Sequence, residues 1–184
     1  MVAMISDIVL IGPVRAGKST QGRLLAAALE LPQVSLDDER WRYYREIGYD
    51  DELAGEIRRR GGFLALVMYW GQFDPYAAER VLADHRDCVF DFGATIYESR
   101  ESLDRVRRAL ASYPNIFLLL PSADREESLR ILSERDDDPP ADLNFDLNRR
   151  FLGHPSYYEL ARHTVFTAGK TPEETRNEIL RLAE

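Results

Sequence analysis

The sequence predicts an α/β fold in which a parallel sheet carries helices on both faces. Three observations point there. Short apolar runs alternate with amphipathic stretches along the whole chain. One run, "NIFLLLP", is apolar throughout, as expected of a strand covered on both sides. A glycine-rich turn, "GPVRAGKS" at 12–19, sits between the first apolar run and a helical pattern. With 184 residues, 45% of them hydrophobic and 30% charged, the chain suits one domain, 1–184, with a sizeable core.

The elements follow in order. "DIVLIG" is a short apolar run closed by glycine and reads as the first strand. In "GKSTQGRLLAAALE" Leu24, Leu25, Ala28 and Leu29 recur at helical spacing, and Pro32 ends the helix. "QVSL" is a brief second strand before Asp37 and Asp38. From Glu39 to about Arg86 the pattern is helical, broken at "GYDDE", "RRRGG" and "FDP". "DCVFDFG" is the third strand, with Cys88, the single cysteine, read as a small core residue. "SRESLDRVRRALASY" is an amphipathic helix capped by Ser99. After the fourth strand, "NIFLLLP", a serine and acidic residues open the helix "SADREESLRILSE". "RDDDPPADLNFD" has turn and loop chemistry. "LNRRFLGHPSYYELAR" resumes helix around a break at His154-Pro155. "HTVFTA" is the fifth strand, and a last helix starts at Pro172 with Thr171 as its cap.

In such sheets ligands bind beyond the carboxyl ends of the strands, which here places 12–19, 36–38, 91–95 and 121–122 on one edge. "GPVRAGKS" fits the phosphate-loop pattern in full, and Lys18 is one of only two lysines in the chain. The segment Gly12, Pro13, Val14, Arg15, Ala16, Gly17, Lys18, Ser19 and Thr20 is expected to wrap a polyphosphate with backbone N–H groups at a helix start. Lys18 would bridge the phosphates and Ser19 would hold Mg²⁺.

Asp91 follows "CVF" in an apolar run, where a charge is costly unless paired or metal-linked, so it is a candidate for the metal or its waters, with a hydrogen bond to the phosphate-loop helix as the competing reading. Asp37 and Asp38 are candidates to accept a proton from an acceptor hydroxyl, Asp37 also to hold the metal. "LDDER" equally suits a helix N-terminus, and both readings can hold. The stretch 135–150 suits a loop that closes over a bound nucleotide. Arg135, Arg149 and Arg150 flank its aspartates and double proline, and Arg135 would close over the transferring phosphoryl group.

The net charge of −8 argues against nucleic acid and anionic membranes as partners, and "RRR" at 58–60 reads as a solvated helix face. One cysteine allows neither an internal disulfide nor a cysteine-based zinc cluster. No apolar stretch is long enough to span a bilayer, and the lack of a sorting pattern favours the cytoplasm.

With these segments in hand, the chain resembles the shikimate kinase family of P-loop small-molecule kinases nearly end to end. The resemblance rests on "GPVRAGKSTQGRLLAAALELP", the acidic position after strand two, "LLLPSADREESLRIL" and "HPSYYELARHTVFTAGKTPEETRNEIL". It implies strand order 2-3-1-4-5, ATP and Mg²⁺ as cofactors, and adenine near Arg130 and the loop holding Lys170. It also implies a mobile lid near 135–147 and an acceptor-binding helical region over 39–86.

The chain departs from the family at the acceptor. Gly71 or Gln72, and Gly153 or His154, stand where the family has its carboxylate-binding arginines. Gly93-Ala94-Thr95 replaces a glycine triplet. Losing a bidentate clamp argues against shikimate as substrate. Tyr69, Trp70, Phe73, Thr95 and His154 are the candidate acceptor contacts, with core packing the competing reading for the aromatics. The leading function is ATP- and Mg²⁺-dependent phosphoryl transfer to another small hydroxylated metabolite, by a monomer or homodimer. A nucleotide-binding regulator without kinase activity and a nucleoside kinase are the alternatives.

Overall fold

A computed structural model describes residues 7–135 and 141–183, with the backbone alone over 141–146. The chain runs β1 (Ile8–Ile11), α1 (Lys18–Leu29), β2 (Gln33–Ser35), α2 (Leu36–Glu46), α3 (Asp51–Trp70), α4 (Asp74–Asp84) and β3 (Val89–Asp91). It continues through α5 (Arg100–Ala109), β4 (Ile116–Leu120), α6 (Arg125–Glu134), α7 (Ala141–Gly153), α8 (Ser156–Leu160), β5 (His163–Phe166) and α9 (Pro172–Leu182).

The five strands form one sheet in the order β2-β3-β1-β4-β5, and every pairing is parallel. This is the order the resemblance implied. β1 and β4 lie at its centre and every residue in them is buried. That is why both read as unbroken apolar runs rather than alternating ones. Asp91 is in register with Leu10 of β1 and Ser35 of β2. The loops after β1, β2 and β3 therefore open onto one edge of the sheet. β1 connects outward to β2, and β3 crosses back toward β4, so the crevice at the end of β1 is the switch point where such sheets take ligands.

Local chemistry sets the helix ends. Ser99 accepts from the Ser102 N–H at the start of α5, and Thr171 and Glu174 form a capping box on α9. α1 stops at Glu30, whose left-handed backbone turns the chain toward β2 before Pro32. α3 is kinked where the sequence has Gly61-Gly62, with Gly62 at φ 74°.

Two sequence expectations need correction. α6 is capped by Asp124, which accepts from the Glu127 N–H, because Ser122 is held by Ser128 and Glu127 instead. The loop expected over 135–146 is helical from Ala141 onward. The double proline hides this, because prolines suit the entry to a helix as well as a loop. Leu143, Leu147 and Phe151 already carry the four-residue spacing. The expected lid residues 136–140 lie outside the described residues. No described helix is long and apolar enough to cross a membrane.

Candidate active site

The phosphate loop leaves β1 and enters α1 with little room for side chains. A Cβ on Gly12 would come within 2.6 Å of the Leu119 carbonyl oxygen of β4, so glycine lets the loop lie against the sheet edge. Gly17 caps α1 with a left-handed backbone and supplies no side-chain cap, which leaves the first N–H groups of the helix facing out. Lys18 is buried, and its Nζ donates to the Pro13 carbonyl at 2.8 Å, folding the ammonium over its own loop. Burial pulls its pKa below the usual lysine value, against the opposing pull of Asp91 and Asp37.

Ser19 Oγ donates to Asp91 Oδ2 at 2.7 Å, and Asp91 Oδ1 accepts the Gly93 N–H at 3.0 Å. A buried carboxylate at the end of β3 thus faces the exposed hydroxyl that opens α1. Asp37 comes in from the first turn of α2. A Cβ on Gly93, at φ +64°, would sit 2.6 Å from Asp37 Oδ1, so this glycine makes room for that carboxylate. Asp38 is exposed, and its contribution is the backbone N–H that Ser35 caps. Asp37 and Asp38 are therefore both helix-start acids, and Asp37 alone of the two lines the neighbouring cavity.

That cavity, about 570 Å³, opens beside the loop. Val14, Thr95 and Leu147 of α7 close one side, and Phe63, Val67 and Trp70 of α3 form an apolar wall. Arg40 and Asp74 form its charged floor. Arg40 pairs with Asp37 and stands 3.9 Å from Asp74, with its guanidinium over the Trp41 and Trp70 rings. Burial works against its charge, and Asp37, Tyr44 and Asp74 outweigh that, so its pKa lies above the ordinary arginine value. The Tyr44 hydroxyl donates to Asp74 Oδ1. Burial lifts the Asp74 pKa to about 6, with Tyr44 and Arg40 pulling the other way and Asp37 adding to the rise.

Among the other candidates, Trp70 and Thr95 line the cavity, whereas Tyr69, Phe73 and His154 do not. Tyr69 and Phe73 pack with Tyr49 and Tyr44 in an aromatic cluster behind it, the core reading of a stripe at helical spacing. His154 is tied down locally, with Nδ1 taking the Ser156 N–H at 3.3 Å and lying 2.9 Å from Ser156 Oγ. Arg135 caps α6 and donates to the Arg15 carbonyl and to Thr167, both at 3.4 Å, so it rests against the outer side of the phosphate loop. Arg130 is exposed and paired with Glu134, and Lys170 is paired with Glu178. Thr20 is half-buried in the first turn of α1.

Sequence reasoning missed three residues. Arg40 and Asp74 look like ordinary helix-start charges, although the Asp-Pro step before "YAAER" could have singled out Asp74. Asn148 of α7 is buried and clamps the phosphate loop. Its Oδ1 accepts the Val14 N–H at 2.8 Å, and its Nδ2 donates to the Val14 carbonyl at 3.2 Å.

These residues fit a magnesium nucleotide. Ser19 and Asp91 converge as hard oxygen donors, and no cluster of three or more His, Cys, Asp or Glu suited to a metal occurs among the described residues. Mg²⁺ takes one or two protein oxygens and fills its shell with water and phosphate, which the Ser19–Asp91 pair could supply and admit.

No protein-family model and no curated protein matches the sequence. Solved structures do. The shikimate kinase from Acinetobacter baumannii in complex with shikimate superposes with a TM-score of 0.63 at 20% identity, over 97% of this chain and 92% of that one. The shikimate kinase from Aquifex aeolicus gives 0.56 at 20% identity, over 96% and 95%. A gluconokinase from Sinorhizobium meliloti 1021 gives 0.56 at 16% identity, over 97% and 91%. Together with the five parallel strands in the order 2-3-1-4-5, these likenesses give the chain the fold of the shikimate kinase-type P-loop kinases.

Proposed function

We propose that this protein transfers the terminal phosphoryl group of ATP to a hydroxyl of a small molecule other than shikimate. One observation carries the reading. Asp37 stands at the mouth of the cavity, over Gly93, on the same sheet edge as Lys18 and the Ser19–Asp91 pair. A carboxylate that can take a proton from an alcohol thus sits between a room for that alcohol and the groups that would hold phosphates. The superposed structures include shikimate kinases and a gluconokinase, which supports phosphoryl transfer as the reaction class.

In this reading the nucleotide phosphates draw the Lys18 ammonium away from the Pro13 carbonyl, while the first N–H groups of α1 embrace them. Ser19 and Asp91 would hold Mg²⁺, which when bound neutralises and orients the phosphates, and Asp37 would reach it through water. Asp37 positions the acceptor hydroxyl and accepts its proton. Arg135 keeps the loop in place from outside through the Arg15 carbonyl. Arg130 and Lys170 stand as the base-side contacts the resemblance implies. The departure from shikimate rests on Gly71 or Gln72 and Gly153 or His154 in place of the family's arginines, and the arginines that do line the cavity, Arg40 and Arg105, are already engaged by carboxylates of this chain.

The test is ATP turnover with Mg²⁺ and a panel of alcohols, following ADP release and the phosphorus NMR of the acceptor. Acceptor-dependent ADP release is expected, and Lys18→Ala should abolish it with the melting temperature retained. ATP uptake with no transfer to any alcohol would favour the regulator. Full turnover by Lys18→Ala would refute the mechanism.

A further inference from the structure

The acceptor cavity has an unbalanced charge. Four carboxylates line it (Asp37, Asp74, Glu98 and Glu101), against two guanidinium groups, Arg40 and Arg105. Neither guanidinium is at liberty. Arg105 makes a two-pronged pair with Glu79, at 2.9 and 2.6 Å, and Arg40 is held by Asp37 beside Asp74. Glu98 is in turn bound by Arg150. Among the described residues, Asp74 Oδ2 accepts no hydrogen bond although Asp74 is all but buried, and Glu101 faces Arg105 at electrostatic range only.

Around Asp74 several polar atoms are also unanswered. The buried Nε of Arg40 and the buried hydroxyls of Tyr97 and Tyr157 have no hydrogen-bond partner, and both tyrosines lie within electrostatic reach of Asp74. Arg40 and Asp74 line the cavity while the two tyrosines pack in the core beside it, so the acceptor left facing the cavity is the Asp74 carboxylate, which a donating ligand would complete. The opposite wall is apolar and aromatic, with Phe63 edge-on to Trp70 at 5.9 Å.

Resting on the phosphoryl-transfer reading, we propose that the acceptor is an amino alcohol with an apolar portion, its ammonium group bound by Asp74 Oδ2. The apolar part lies along Phe63, Val67 and Trp70, and the hydroxyl reaches Asp37. A carboxylate-bearing acceptor would meet an acidic lining and would have to displace Asp37 or Glu79 from its arginine, at a loss of affinity. An ammonium group meets a carboxylate that is all but buried and whose other oxygen, Oδ1, already faces Arg40 and Tyr44. The position of Asp74 agrees with this. A carboxylate is disfavoured where it is buried, and a bound cation offsets that penalty.

The test uses three molecules with one skeleton: 2-amino-1-phenylethanol, 1-phenylethane-1,2-diol and mandelate, which are cationic, neutral and anionic. Their dissociation constants are measured by calorimetry with Mg²⁺ and a non-hydrolysable ATP analogue present, and the analogue's own binding is recorded in parallel. The amine should bind about tenfold more tightly than the diol, the value of one charge-assisted contact, with mandelate weakest. In Asp74→Asn the advantage of the amine should fall to within about twofold of the diol. Should that variant fold poorly, Glu101→Gln, an exposed substitution at the rim, should lower the same advantage by a smaller factor.

Preference for mandelate or the diol, or an advantage of the amine that survives both substitutions, would overturn the assignment. If the ATP analogue binds and the selectivity is wrong, this inference alone is lost. If the analogue fails to bind, the phosphoryl-transfer reading falls and takes the inference with it.

Discussion

The phosphate side and the acceptor side of the crevice are built in opposite ways. The phosphate side is made from backbone and from neighbours in sequence, namely one turn between β1 and α1, plus Asp91 at the end of an adjacent strand. Its polar groups are largely engaged with one another, Lys18 with Pro13, Ser19 with Asp91, and Val14 with Asn148. The acceptor side draws on α2, α3, α4, the β3–α5 connection and α7, and it leaves buried polar atoms unpaired. The first is a backbone turn whose polar groups are held in place before any ligand arrives. The second keeps buried polar atoms unanswered, as binding sites often do.

The largest effect expected in this comparison is on the phosphate side. Asp91→Asn keeps the shape but removes the charge facing Ser19. If the carboxylate serves the metal, transfer should fall roughly a hundredfold and the magnesium requirement should shift upward. Kinetics across a magnesium titration read both. A rate that falls with no change in magnesium dependence would leave Asp91 as a structural partner of Ser19, and the turn would then be organised by hydrogen bonding alone.

This asymmetry governs what the sequence could tell. The phosphate loop was legible because its chemistry is contiguous, with every residue from Gly12 to Ser19 falling within one turn. Asp91 was legible because a charge in an apolar strand is conspicuous. The helical elements and the five strands followed from periodicity and caps, whereas the order of the strands came through the family resemblance. The acceptor side was harder to read because burial is a tertiary property. Asp74 in "QFDPYAAER" has the signature of a helix start, which it is, and nothing local says that Tyr44, thirty residues earlier, lies against it. Arg40 reads as one charge among several on α2. Tyr69 and Phe73 lie next to Trp70 in sequence but pack with Tyr44 and Tyr49 behind the cavity, a difference that helical spacing alone does not reveal. Asn148 sits in a helix whose first turns were taken for a loop.

A smaller effect separates the two sides by stability. Asp74 should destabilise the folded state at neutral pH. Its pKa rises to about 6 in the fold from an ordinary value of 3.8. A raised folded-state value means that the fold binds the proton more tightly than the unfolded chain. The stabilisation is thus complete below about pH 4 and is lost as pH rises through about 6. Roughly two units correspond to about 3 kcal/mol at most. The charges and hydroxyls facing this carboxyl are Arg40, Asp37 and Tyr44 of α2, Tyr97 before α5 and Tyr157 of α8. Asp74→Asn removes the titration while retaining an oxygen for Tyr44. The variant should therefore gain stability relative to the native chain as pH rises from 4 to 7, read as a difference between two denaturation series. Equal stability of the two chains across that range would mean that Asp74 is relieved by its neighbours and that the acceptor side is no more strained than the phosphate side.

The smallest expected effect asks whether the two sides are separate at all. α7 touches both through consecutive residues: Leu147 lines the acceptor cavity and Asn148 holds Val14 by its N–H and its carbonyl. Val14 itself faces the cavity, so the clamp fixes a residue common to both sites. Asn148→Ala would leave that peptide pair without its partner, a loss of about 1–2 kcal/mol by the usual worth of such bonds in partly buried settings. Part of that should appear as a fall of about fivefold in ATP affinity, because the loop must be ordered again when the phosphates bind. The Michaelis constant for the acceptor should rise with it, since the same substitution loosens one wall of the cavity. Calorimetry with ATP and a melting curve distinguish the outcomes. A lower melting temperature with unchanged ATP affinity would reduce Asn148 to a folding contact and leave the two halves independent. A coordinated loss at both sites would make α7 the element through which the seating of one substrate is felt by the other.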